Sequence, residues 1–210
     1  MAGGEKRRLF LEKPQQWRCP FDGAKVIESD ASVDLFWMLP INGDIEYWGQ
    51  VYSFMEEVTV KANVFGDRSG LTVDLNISAS ATAPCARCLS MAPLEIFRDF
   101  RYFYKSLSIT ESGDDKDKDE DLIFVQSIDE EVDISDQVWE SLVVSLPEKV
   151  LCSAECCGIC QFCGHDRNKG DCGCSGEGVD PRFEVLAGQE QIVGENVPGK
   201  GGNQRGSSKK

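Results

Sequence analysis

Between Val58 and Tyr104 apolar and polar residues alternate with a period of two. Val58, Val60, Ala62 and Val64 fall on one side of the chain and Glu57, Thr59, Lys61 and Asn63 on the other, the signature of a strand with one buried face. A turn at Gly66-Asp67-Arg68-Ser69-Gly70 follows. The alternation then resumes, with Leu71, Val73, Leu75, Ile77, Ala79, Ala81 and Ala83 opposite Thr72, Asp74, Asn76, Ser78, Ser80 and Thr82, which predicts a long antiparallel partner. A third strand carries Leu94, Ile96, Phe100, Tyr102 and Tyr104 on one side, broken only by Arg98.

The flanks are less regular. Val33 to Leu39 is a short apolar run ended by Pro40, and Ile41-Asn42-Gly43-Asp44 reads as a turn. Residues 45 to 54 are aromatic and β-prone and read as one strand. Tyr47, Trp48, Tyr52 and Phe54 within it could stack on bases, but in so acidic a chain they are expected in the core and on the sheet surface. Residues 111 to 121 are a charge run expected to be a solvated loop, and Leu122 to Ile128 resumes as a strand. Asp133 or Ser135 then caps a helix whose apolar face, Val138, Trp139, Leu142, Val143 and Leu146, recurs at helical spacing until Pro147 ends it. The pattern predicts an α+β fold: a mainly antiparallel sheet, with barrel-like closure as an option, and one main helix. The expected domains are 1–150 for the sheet and helix, 151–187 for a cysteine-rich module and 188–210 for a glycine- and lysine-bearing disordered tail.

Composition narrows the setting. No apolar run approaches the roughly eighteen residues of a membrane span, so no membrane association is expected. Arg7-Arg8-Leu9-Phe10-Leu11 only echoes an export signal, because Glu12-Lys13-Pro14 follows where an apolar stretch should be. A reducing, cytoplasmic location is therefore expected. With 36 acidic against 22 basic residues the net charge is -14, so binding to bare RNA is expected to be weak and a basic protein is a better electrostatic match.

Seven of the ten cysteines lie between Cys152 and Cys174. Cys160-Gln-Phe-Cys163-Gly164 has the form of a knuckle, and Cys172-Gly-Cys174 can close it into a four-thiolate site, a donor set that points to zinc. An iron–sulfur run beginning at Cys157, Cys160 and Cys163 lacks its fourth cysteine, since Arg167 and Asn168 stand where it should continue. A disulfide scaffold suits a short exported chain; at 210 residues this one is too long to need it, and no export is expected. Cys85-Ala-Arg-Cys88 sits at the predicted hairpin tip, and two thiolates alone do not make a structural zinc site. Its expected partners are Cys152 and either Cys156 or Cys157, giving two Zn2+ per chain. Cys19 reads as a buried or spare thiol. His165 is the only histidine and reads as an exposed loop residue. No hydrolase elbow, phosphate loop or dinucleotide fingerprint is present, so no catalytic residue is assigned and the protein is not expected to be an enzyme.

Taken together, Cys85-Ala-Arg-Cys88-Leu89, Ser145-Leu146-Pro147, the run Cys152…Cys156-x-Gly158-x-Cys160-x-x-Cys163-Gly164-x-x-x-Asn168…Cys172-x-Cys174 and Asp180-Pro181-Arg182 resemble the YceD family of bacteria and plastids. The resemblance implies a non-enzymatic factor in large ribosomal subunit biogenesis, needed for accumulation of 23S-type rRNA. Its implied partners are a large-subunit ribosomal protein or a pre-ribosomal particle. Cys157 departs from the pattern. The alternative function is a redox-regulated zinc chaperone, whose cysteines would release metal on oxidation.

Overall fold

The computed structural model describes residues 8–9, 12–29, 31–41, 43–107 and 121–174. The chain divides into two compact units, Met1–Gly170 and Asp171–Lys210, and all the secondary structure below belongs to the first. The acidic run at 111–120, the Asp180-Pro181-Arg182 motif and the tail lie outside the described residues.

The three alternating stretches are β6 (Val58–Asp67), β7 (Gly70–Pro84) and β8 (Met91–Ser106). All the apolar positions of β7 from Leu71 to Ala83 are buried and every intervening residue is half-buried, as the period requires. β8 pairs antiparallel along the whole of β7, from Leu71↔Tyr104 to Pro84↔Met91. The other edge of β7 is shared. β6 takes Gly70 to Ser78, and β5 (Gln50–Phe54) takes Ala81 and Thr82. Beyond β6 lies β3 (Val33–Leu39). Beyond β5 come β4 (Asp44–Tyr47) and the two-residue β1 (Arg8–Leu9), and β9 (Leu122–Val125) runs parallel to β8. A separate ribbon joins β2 (Pro20–Asp22) to β10 (Glu131–Asp133).

The mainly antiparallel sheet and the long helix were expected; barrel-like closure does not occur among the described residues, where the strand path ends at β3. The reason is that the apolar face has another cover. Helix α2 (Ser135–Val144) packs Val138, Trp139 and Leu142 into the core, so the sheet need not curl on itself to bury it. Buried hydroxyls fix the docking: Tyr102 shares a 2.8 Å hydrogen bond with Ser141, and Tyr104 donates to Gln137 Oε1 at 2.9 Å. Trp17, fully buried, meets Trp139 edge-on at 5.5 Å and donates its indole N–H to the Pro40 carbonyl.

Other expectations need revision. Residues 45–54 are a hairpin and not one strand: Trp48 and Gly49, at φ 51° and 72°, form the two-residue turn between Tyr47 and Gln50, the left-handed pair that matches strand twist. Strand β9 stops at Val125, and Ile128 is instead buried in the core beyond it. The short helix α1 (Gly23–Ser29) and the β2–β10 ribbon carry no clear period. Gly23 is required there because a Cβ would stand 1.9 Å from the Ile128 carbonyl oxygen. At the start of α2 the position before the helix is Ile134; Asp133 Oδ1 accepts the Ser135 N–H at 3.0 Å and the Cys19 N–H at 2.9 Å, tying helix to ribbon.

Candidate metal centre

β7 ends at Pro84 and β8 begins at Met91, so Cys85 to Ser90 form the hairpin tip. The tip is a knuckle. Cys85 N–H donates to the Ser90 carbonyl at 2.8 Å, Leu89 N–H to the Cys85 carbonyl at 2.9 Å, and Arg87 N–H to Cys85 Sγ at 3.4 Å. Leu89 takes φ 64° to make that turn. Cys85 and Cys88 are buried.

After α2 the chain passes Pro147 and returns across this tip. Val150 accepts the Ala86 N–H at 2.8 Å, Ile159 donates its N–H to the Arg87 carbonyl at 3.2 Å, and the Arg87 guanidinium donates to the carbonyls of Ala154 and Cys156 at 3.4 and 3.0 Å. Gly158, at φ 72°, passes so close that an added Cβ would lie 3.3 Å from the Arg87 carbonyl oxygen. These bonds bring four sulfurs together. Cys85 and Cys156 are 3.7 Å apart, Cys88 and Cys152 3.6 Å, and all four lie within 4.8 Å of one another. A tetrahedron with Zn–S bonds of about 2.3 Å has sulfur–sulfur edges of about 3.8 Å. Disulfides would require about 2.05 Å, and all ten cysteines are free thiols.

The electrostatics agree with a cation at this place. The backbone N–H of Cys88, aided by those of Arg87 and Cys152, holds the Cys85 thiol down at about 6. The Asn168 side-chain amide, with the Gly158 N–H, holds Cys156 below the ordinary thiol value. Cys152 is pushed up to about 12, first by its hydrogen bond to Cys156 and then by that to Cys88. A proton kept on one sulfur relieves repulsion among thiolates, and a divalent cation does the same for all four. Cys85, Cys88, Cys152 and Cys156 therefore fit a metal ion. Of the two alternatives for the last position, Cys156 is the one whose sulfur joins the group. Cys157 is exposed, its sulfur 3.7 Å from the Glu155 carbonyl.

Cys160 and Cys163 repeat the hairpin-tip turn: Gly164 N–H donates to the Cys160 carbonyl at 2.8 Å, with Gly164 at φ 73° in the place Leu89 holds at the tip. Cys160 is buried, Cys163 exposed. In the second unit Cys172 is half-buried and Cys174 exposed, with Gly173 between them at φ 70°. Cys160 and Cys163 thus belong to the first unit, and Cys172 and Cys174 to the second. His165 is exposed and offers its carbonyl to the Cys160 N–H. Cys19 belongs to the core, where burial, then Asp133, pushes its thiol up to about 12.

The residue that ligand spacing alone misses is Asn168. Its amide nitrogen donates to Cys156 Sγ at 3.4 Å and to Asp166 Oδ1 at 2.7 Å, while its oxygen accepts the Cys157 N–H at 2.8 Å. Asp166 in turn accepts the Asn168 N–H, at the start of a 3-10 turn over Arg167–Lys169.

Over residues 73–188, more than half its length, the chain matches the family described as "Large ribosomal RNA subunit accumulation protein YceD". The chain belongs to the YceD family. The matched region begins inside β7 and takes in all eight of these cysteines, Arg87 and Asn168. Neither a curated protein nor a solved structure matches it. The family's description links this YceD-family protein to accumulation of the large ribosomal RNA subunit. Among the described residues no helix is long and apolar enough to cross a membrane.

Proposed function

We propose that this protein is a non-enzymatic, zinc-stapled factor in the accumulation of large-subunit rRNA, acting on a pre-ribosomal particle or a large-subunit ribosomal protein. The observation that carries the reading is the convergence of Cys85 and Cys88 from the hairpin tip with Cys152 and Cys156, in a chain of this family. With four thiolates a zinc ion has no open position for water or substrate, so its role is to hold the fold. Two zinc ions per chain are the expectation, the second held by Cys160, Cys163, Cys172 and Cys174. The net charge of -14 favours a basic protein surface over naked RNA as the point of attachment.

The test is sedimentation of a cell extract on a sucrose gradient, with metal analysis of the purified protein. Wild type should co-migrate with particles that precede the mature large subunit and should contain zinc. The Cys88→Ser variant should leave those fractions. A zinc-free native protein, or a wild type confined to the top of the gradient, would refute the reading.

A further inference from the structure

The sheet face opposite the core is open to solvent, yet it carries large apolar side chains. Phe36 and Met38 on β3, Phe97 and Phe103 on β8 and Phe124 on β9 are 57, 55, 62, 42 and 45 % exposed. Single exposed hydrophobics are ordinary, whereas several sharing one face mark a contact surface. Strand register puts them in order. Met38, Thr59, Ser78 and Phe97 form one cross-strand row, and Phe36, Lys61, Asn76 and Asp99 the next. With strands about 4.8 Å apart, Met38 and Phe97 stand roughly 14 Å from each other across β6 and β7. The floor between them is mostly short polar side chains. Two shallow depressions open on it, one between Phe36, Lys61 and Asn76, the other between Asn76, Asp99 and Arg101. The trough is wide enough for one extended chain with its side chains.

Charge selects the occupant. Asp34, Asp74, Glu95 and Asp99 face the trough against Lys61 and Arg101, and Arg101 is already paired with Asp74 at 2.9 Å. The other three carboxylates are held in place: Asn63 donates to Asp34 and Asn76 to Asp99, each at 2.7 Å, and Ser80 to Glu95 at 2.9 Å. A carboxylate oriented by one bond still accepts others, and its fixed rotamer lowers the ordering cost of binding. Aromatic rings beside surplus carboxylates suit ammonium and guanidinium groups. An aromatic sheet face with amide and hydroxyl side chains could otherwise stack single-stranded RNA, but phosphates would meet net negative charge here. We infer that this face docks an extended lysine- or arginine-rich segment of a protein, an inference that rests on the ribosome-linked function above and names its partner's chemistry.

The test compares wild type with Phe36→Ser/Phe97→Ser and with Glu95→Lys/Asp99→Lys, all exposed positions, after circular dichroism and zinc content have shown each variant to be folded. Trp48→Ser, at the β4–β5 turn and 71 % exposed, is the control. The probes are the isolated large-subunit ribosomal proteins, one at a time, and a 20-nucleotide single-stranded RNA, at 0.05 to 0.3 M salt. Wild type and control should bind at least one basic protein. Both sheet variants should bind it at least ten-fold more weakly, the charge variant with a shallower salt dependence. Equal binding by all four proteins would overturn the assignment of the face. So would RNA binding that exceeds any protein binding and is lost with the phenylalanines. The gradient experiment separates the two levels: a wild type absent from pre-ribosomal fractions sinks the proposed function and this inference with it. Wild type and sheet variants present there equally would overturn only the face.

Discussion

The hairpin centre and the second group of cysteines should differ in what their loss does to the fold, and the difference follows from chain separation. Cys88 and Cys152 are 64 residues apart, so an ion held between them closes a long loop. The chain-entropy relation for a cross-link of that length gives about 4 kcal/mol at 25 °C. Because a metal clip exchanges and the unfolded chain retains some structure, a realistic loss on breaking it is about 2–4 kcal/mol. For a domain of this size each kcal/mol moves the thermal midpoint by roughly 2–4 °C. Cys88→Ser should therefore lower the midpoint of the sheet and helix by roughly 4–16 °C, followed by circular dichroism with zinc in slight excess. In Cys172→Ser the global midpoint should move by less than about a third of that, while hydrogen exchange speeds up over residues 157–174. Cys157→Ser should stay within about 0.5 kcal/mol of wild type, as surface substitutions usually do. Equal global losses from Cys88→Ser and Cys172→Ser, or no change in wild-type midpoint after a strong chelator removes zinc, would refute the reasoning.

Asn168→Asp keeps the oxygen that accepts the Cys157 N–H but removes the donor to Cys156 Sγ and adds a negative charge; zinc affinity measured by chelator competition should fall roughly 10–100-fold, with a shifted thiolate-to-metal band in the cobalt form, and an unchanged affinity would show the amide to be incidental. In native, zinc-loaded protein, brief alkylation at pH 7.5 followed by peptide mapping should label Cys157, which is exposed, and spare Cys19, whose thiol burial raises to about 12; early labelling of Cys19 would contradict its placement in the core. Burial would raise the Asp133 carboxyl, but hydrogen bonds from the Cys19 and Ser135 N–H groups and the Arg18 charge outweigh it and hold the value below the usual carboxylate range. With the folded value depressed, the stabilisation is present above the unfolded value of about 4 and is lost as pH falls below it. Asp133→Asn should thus be less stable at pH 7 and show a flatter loss between about pH 4 and 2 in denaturant titrations, and parallel acid limbs would refute that role.

The sequence by itself determined what depends on near neighbours. A period of two records which side chains share a face of a strand, so β6, β7 and β8 and their buried sides were legible, as was the helix after Asp133 from its 3.6-residue period. Two cysteines three apart flanking a turn are equally local, which is why both knuckles could be read from spacing. Only the tertiary structure decided what depends on partners distant in the chain. The break at Trp48-Gly49 is set by pairing β4 with β5, and no strong turn dipeptide announces it. The two-residue β1 and the three-residue β2 and β10 exist because their partners hold them, since so few residues carry no period. Whether the sheet closed into a barrel depended on what else could cover its apolar face, and α2 with the Trp17 segment does so. The choice between Cys156 and Cys157 was open for the same reason: they follow Cys152 by four and five residues and neither spacing rules out a ligand, and it is the Arg87 and Asn168 contacts, from 69 and 12 residues away, that turn the Cys156 sulfur inward.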